Sequence, residues 1–135
     1  MVIRKAKFKD IPFCLKAEAS QGDSTFSERD FRNSIADPNA IFLVAEQNQQ
    51  VIGFISGFIV PTKRTEAMIH STMVHEQHTQ KGIGSSLVRS FAKLAFERGV
   101  EQIYAEVEEG LDKFYEKCGF KKVMLWHSML LGKDV

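Results

Sequence analysis

The sequence predicts an α/β domain with a mixed central sheet flanked by helices. Three observations carry this. Some short segments alternate apolar and polar residues with period two, while others repeat with a helical period. The two kinds interleave along the chain instead of falling into separate blocks. A long strand pattern at 66–74 is followed by a glycine-bearing loop, a helix and a further strand at 102–107, the order of a right-handed crossover unit.

Each element has a local reason. "VIRKA" at 2–6 alternates as a short strand. Asp10 is placed to cap a helix through "IPFCLKAEA", with Pro12 in its first turn, where proline is tolerated. "QGDSTFS" at 21–27 is a polar loop, Ser27 caps a second helix, "ERDFRNSIA", and "DPN" at 37–39 ends it. "AIFLVAEQ" and "QVIGFISGFIV" form a hairpin across the polar turn "QNQQ". "EAMIHSTMV" at 66–74 is the third long strand. Leu87, Val88, Phe91, Leu94 and Ala95 then share one helix face, and Gly99 ends that helix. "EQIYAEV" reads as a strand, "GLDKFYEKC" as a short helix and "GFKKVMLWHSMLL" as a returning strand. The order β α α β β β α β α β fits a two- or three-layer domain.

Composition limits the function. The chain has 135 residues, 44% hydrophobic and 26% charged, which suits one domain over 1–135. With 18 basic and 17 acidic residues the net charge is +1, so no global field favours nucleic acid or a membrane surface. The longest apolar run, "VIGFISGFIV", is too short to span a bilayer, and "MVIRKAKFKD" lacks the apolar core of a signal peptide. A soluble cytoplasmic protein is expected. Cys14 and Cys118 fit no metal spacing and no disulfide framework, so no metal is expected.

The chemistry concentrates in "TQKGIGSSLVRSF" at 79–91. A helix starting near Gly82 to Ser85 leaves its first N–H groups without carbonyl partners. Gly82 and Gly84 let the backbone approach a ligand, Lys81 adds a positive charge, and Ser85 and Ser86 add hydroxyls. With the helix dipole this is a site for pyrophosphate. A Walker A loop is excluded, because the lysine precedes the glycines. A dinucleotide fingerprint matches at Gly82 and Gly84 but has Leu87 where the third glycine belongs, and "HEQHT" separates strand from loop.

Two segments together are more specific. "MVHEQHTQKGIGSSLV" resembles the acetyl-coenzyme A loop of the GNAT family of N-acetyltransferases, and "FYEKCGF" at 114–120 resembles that family's late tyrosine-bearing motif. The shortened segment before Tyr115 is similar to the arylalkylamine (serotonin) branch. Thr79 and Gln80 stand where the family usually has Gln or Arg and then glycine, which leaves the backbone donors in place. The resemblance implies a GNAT fold over nearly the whole chain. It implies transfer of acetyl from acetyl-CoA to a primary amine, by direct attack in a ternary complex. A non-catalytic acyl-CoA-binding module and a dinucleotide-binding oxidoreductase are the alternatives.

The resemblance also assigns residues. Met73 N–H is expected to hold the acetyl oxygen and Val74 to pair with the pantetheine arm. Thr79, Gln80, Lys81, Gly82, Ile83, Gly84 and Ser85 are expected to hold the pyrophosphate. Tyr115 is expected to be the general acid. His70 is the first candidate base, placed by period two on the face of Thr72 and Val74, and Glu66 on the same strand is the second. Glu106 and Glu108 are acceptor-channel candidates. The acceptor is a small-molecule or peptide amine, its pocket built from about residues 18–33, where Glu18, Asp23, Glu28 and Asp30 favour a cation. Cys118, one turn from Tyr115, suggests a ping-pong route, against which a structural thiol is expected. The final strand is a plausible edge for a homodimer.

Overall fold

A computed structural model describes residues 1–23, 26–79, 81–107, 110–123 and 133. Four strands run as an antiparallel meander: β1 (Val2–Lys5), β2 (Ala40–Gln47), β3 (Gln50–Ile59) and β4 (Glu66–Val74). A fifth, β5 (Gln102–Ala105), adds parallel to β4, giving the order β1-β2-β3-β4-β5. α1 (Ile11–Ser20) and α2 (Glu28–Ala36) come between β1 and β2, α3 (Ile83–Glu97) crosses from β4 to β5, and α4 (Asp112–Lys117) follows β5. The strand expected over 119–131 lies largely outside the described residues, as do Trp126, His127 and Glu108.

The layers follow from alternation. Along β2, Ile41, Leu43 and Ala45 pack with Leu87, Val88, Phe91 and Ala95 of α3. The intervening Phe42 and Val44 pack with Ile11, Cys14 and Ala17 of α1 and Phe31 of α2. The domain therefore has three layers, with α1 and α2 on one face and α3 and α4 on the other.

Several local signals act as expected. Ser27 Oγ accepts the Asp30 N–H at 3.2 Å and the Asp30 carboxylate accepts the Ser27 N–H at 2.9 Å, a reciprocal cap. Gln47 faces Gln50 across a two-residue turn in which Asn48 and Gln49 have φ of 53° and 63°, the hand that matches strand twist. After α3, Gly99 at φ 94° lets Val100 N–H reach Ala95 O at 3.1 Å.

Asp10 does something else. Its side chain makes no cap bond to α1. It accepts two bonds from the Arg4 guanidinium at 2.8 and 2.9 Å and one from Lys7 N–H at 2.7 Å. Burial pushes its pKa up, but these donors outweigh burial and hold it below the ordinary aspartate value. The carboxylate ties β1 to the start of α1.

One irregularity positions the site. Ser56 faces Ser71 and Gly57 faces Ile69, so His70 is an extra residue in β4 with no partner on β3. A Cβ at Gly57 would collide with the Met68 carbonyl and meet the Phe91 ring at 2.8 Å, so only glycine fits opposite the bulge.

Candidate active site

The bulge reverses the parity of β4. Before it, Ala67 and Ile69 pack in the α3 cluster. After it, Thr72 and Val74 take that side: Val74 packs on the α3 cluster, and Thr72 Oγ1 lies 3.2 Å from the Tyr115 hydroxyl. Met73 packs with α1 and α2. His70 is exposed, and its ring sits 5.0 Å from Phe26, which belongs to the α1–α2 side. The expectation that His70 shares a face with Thr72 and Val74 is thus corrected; the inserted residue turns it away.

The strand's hydrogen-bonding edges follow from one bond. His75 N–H donates to Ile52 O of β3 at 2.8 Å. N–H groups of successive strand residues point to opposite edges, so Met73 also faces β3, where it stands opposite Phe54. Thr72 and Val74 face the other edge. There β5 accompanies β4 only as far as Ile69, whose carbonyl takes the Glu106 N–H at 3.2 Å. Beyond that point β4 has no strand partner among the described residues. Met73 N–H, expected to meet the acetyl oxygen, belongs to the sheet ladder. Thr72, to which sequence reasoning assigned no role, is the residue that this edge and the Tyr115 hydroxyl share. Parity was the available signal, because an extended partner pairs with every second residue, hence with 72 and 74.

The expected phosphate loop gathers at the end of this edge. Gly82 has φ 76° and precedes α3, with open space where a Cβ would stand. The first bond within the helix runs from Ser86 N–H to Gly82 O, so the N–H groups of Ile83, Gly84 and Ser85 have no intrahelical acceptor. Lys81 is exposed beside them, and Thr79 Oγ1 donates to Glu76 O at 3.1 Å. The Ile83 side chain is buried in the core, leaving only its backbone for a ligand. Gln80 lies outside the described residues. Gly84 serves packing: a Cβ there would stand 3.1 Å from the Phe114 ring. Leu87 is fully buried against the sheet.

Tyr115 is buried at 4% exposure, its ring 5.0 Å from Phe114 and 5.5 Å from Phe120. Its hydroxyl reaches Thr72 on the unpaired edge. Glu66 is not brought to this place. It begins β4, pairs with Lys63 at 3.3 Å and, at about 3.3 Å per residue, lies roughly 20 Å from Thr72. Cys118 Sγ lies 3.9 Å from Ser85 Oγ, and burial pushes the Cys14 thiol up to about 12. His75 is half-buried, its Nδ1 accepting Gln77 N–H at 3.2 Å.

These features form one continuous strip: a strand edge with no strand partner among the described residues, a buried hydroxyl beside it and a helix N-terminus at its end. A profile of the acetyltransferase (GNAT) family matches residues 9–120. The chain belongs to the GNAT family. It is an acetyl-CoA-dependent acetyltransferase, with the GNAT fold expected for it. An N-alpha-acetyltransferase of Sulfurisphaera tokodaii is 29% identical over 146 residues, covering 98% of this chain and 87% of that protein. The crystal structure of Ard1 from Thermoplasma volcanium superposes with a TM-score of 0.81 at 26% identity, over 91% of this chain and 84% of that one. The PaiA N-acetyltransferase of Thermoplasma acidophilum, in complex with coenzyme A, superposes with a TM-score of 0.76 at 23% identity, over 89% of each chain. The chain spans under half the length of the mammalian N-acetyltransferase 8 relatives that it also matches. Among the described residues, no helix is long and apolar enough to cross a membrane, and no group of three candidate side chains is placed to hold a metal.

Proposed function

We propose that this GNAT enzyme acetylates a primary amine by direct attack in a ternary complex, with a peptide N-terminus as the favoured acceptor. The observation that carries the reading is the Tyr115 hydroxyl, 3.2 Å from Thr72 Oγ1 beside the unpaired β4 edge. On this reading Thr72 and Val74 pair with the pantetheine arm as a strand would. Thr79, Gln80, Lys81, Gly82, Ile83, Gly84 and Ser85 hold the pyrophosphate, chiefly through backbone N–H groups and the helix dipole. A thioester carbonyl laid along the edge meets the outward N–H of Thr72 or Val74, which stabilises charge on its oxygen. Tyr115 protonates the leaving thiolate. The likeness to an N-alpha-acetyltransferase of Sulfurisphaera tokodaii supports an α-amine acceptor, and the acidic residues around the α1–α2 connection suit a cation.

The test begins with thermal unfolding in the presence of acetyl-CoA, with NAD as the control. At 100 times the dissociation constant a ligand stabilises by about 2.7 kcal/mol, on the order of 10 °C for a chain this size. Thiol release is then followed with a pool of hexapeptides bearing free α-amines, and with spermidine and tryptamine. Stabilisation by NAD instead of acetyl-CoA would sink the reading. Stabilisation by acetyl-CoA without thiol release would favour the binding-module alternative.

A further inference from the structure

Glu18, in the last turn of α1, is a buried carboxylate for which the mechanism above has no use. It is 1% exposed, and neither side-chain oxygen has a hydrogen-bond partner of full geometry; the Phe26 N–H is the one backbone donor that approaches it. Buried carboxylates are normally paired or hydrogen-bonded, because leaving the charged form unpaired is costly. Here the local charges make it worse. Burial raises the Glu18 pKa first, Asp23 and Asp30 raise it further, and only the nearby Phe26 N–H acts the other way, leaving it pushed up to about 7. The charges acting on it are all anionic. Among the described residues no cation acts on Glu18 to supply a counter-charge.

Its position indicates what brings that charge. Glu18 follows Cys14 and Ala17 on the side of α1 that packs in the cluster holding Phe31, Phe54, Phe26 and Met73. Phe26 and Phe31 lie 5.4 Å apart, as do Phe31 and Phe54, and Phe26 leads out to the exposed ring of His70. Aromatic faces attract cations. The end of α1 is also fastened to the reactive end of β4. Gln21 Nε2 donates to Val74 O at 2.9 Å, and Glu76 N–H donates to Ser20 Oγ at 3.1 Å. Glu18 therefore lies one helical turn from a residue touching the unpaired edge, on the opposite face of the sheet from Tyr115.

We propose that Glu18 is the acceptor-binding carboxylate, holding the ammonium of the incoming amine beside Phe26 and taking its proton. The proposal rests on the function proposed above and names the cation-recognising group of that site. In the step, one N–H bond of the ammonium breaks and an O–H bond forms on Glu18, leaving a lone pair on nitrogen. That nitrogen bonds to the acetyl carbon, and the C–S bond breaks. The thiolate takes the Tyr115 proton, the surplus proton on the new amide nitrogen restores the tyrosine, and Glu18 returns its proton to solvent. The titratable groups facing Glu18 are Asp23 after α1, Asp30 of α2 and Cys14 of α1. His70 of β4 lies across Phe26.

The experiment uses the whole chain and the peptide pool. kcat/KM is followed from pH 5.5 to 9 for the wild type and Glu18→Gln, with acetyl-CoA affinity measured alongside. The wild-type profile should carry a limb with a midpoint near 7 that Glu18→Gln lacks. Glu18→Gln should lose at least 30-fold in kcat/KM while acetyl-CoA affinity stays within twofold. In parallel, the Glu18 carboxyl carbon is titrated by NMR in coenzyme-A-loaded wild type, and its midpoint should drop by a unit or more when the peptides are added. A variant matching wild type in rate and profile overturns the proposal. So does a carboxyl midpoint unmoved by peptides that the enzyme turns over. A wild type that binds acetyl-CoA but turns over no amine overturns the function proposed above, and this step with it.

Discussion

Replacing Tyr115 by phenylalanine removes one oxygen from the buried centre of the strip and little else. The ring keeps its edge contacts with Phe114 at 5.0 Å and Phe120 at 5.5 Å, so no cavity opens. The 3.2 Å contact with Thr72 is lost, and a hydrogen bond of this kind is worth about 1 kcal/mol. For a chain of this length that lowers Tm by only about 3–4 °C. The effect on rate is larger. A positioned acid contributes roughly 10²- to 10⁴-fold, and at 1.36 kcal/mol per tenfold this is about 2.7–5.4 kcal/mol of the barrier. The expected outcome is a fall in kcat of at least a hundredfold with acetyl-CoA affinity within twofold. Thiol release at saturating substrates reads the first, and calorimetric titration with acetyl-CoA reads the second. A kcat within threefold of wild type, in a variant that still melts near the wild-type temperature, would show that Tyr115 gives no proton.

Other substitutions separate further claims. Val74→Pro deletes an N–H that faces the unpaired edge, so it should weaken acetyl-CoA binding severalfold at little cost in stability; Met73→Pro removes a sheet bond and should unfold at lower temperature. Equal melting temperatures for the two would refute the assigned edges. Gly57→Ala forces a methyl into the Met68 carbonyl and the Phe91 ring, so about 2–4 kcal/mol should be lost in chemical denaturation. The Glu18 pKa is raised on folding, so between about 4.5 and 7 the native state binds the extra proton and stability falls as pH rises. Glu18→Gln should therefore be about 3 kcal/mol more stable than wild type at pH 8 and indistinguishable near pH 4. Parallel stability curves for the two across this range would mean that Glu18 is satisfied in the fold.

Much of the fold was legible because its signals are local. The Ser27 and Asp30 cap, the two-residue turn after Gln47 and the single face of α3 each need only a few neighbouring residues. The site was legible where it depends on backbone at a helix start, as at Gly82, or on a motif, as at Tyr115. It was not legible where two strands decide together. The bulge at His70 leaves no mark in "EAMIHSTMV"; it is fixed by Gly57, thirteen residues earlier, and it changes which side chains follow Ile69 on each face. Glu66 failed as a gathered site residue for a related reason, since sharing a strand does not bring residues close when the strand is long. Asp10 left its expected capping role because Arg4, on the neighbouring strand, offers its carboxylate more than the helix start does.

The extra residue in β4 has a consequence for how such an enzyme changes over time. A regular strand would tie donor and acceptor to one alternating pattern, so altering one would disturb the other. Here the inserted His70 faces the α1–α2 side while Thr72 and Val74 face the α3 side, within five consecutive positions. On the proposed reading, variation at 70 retunes the choice of amine while the backbone at 72 and 74 goes on meeting the same coenzyme. A single misfit in a ladder makes the two halves of the reaction separately heritable.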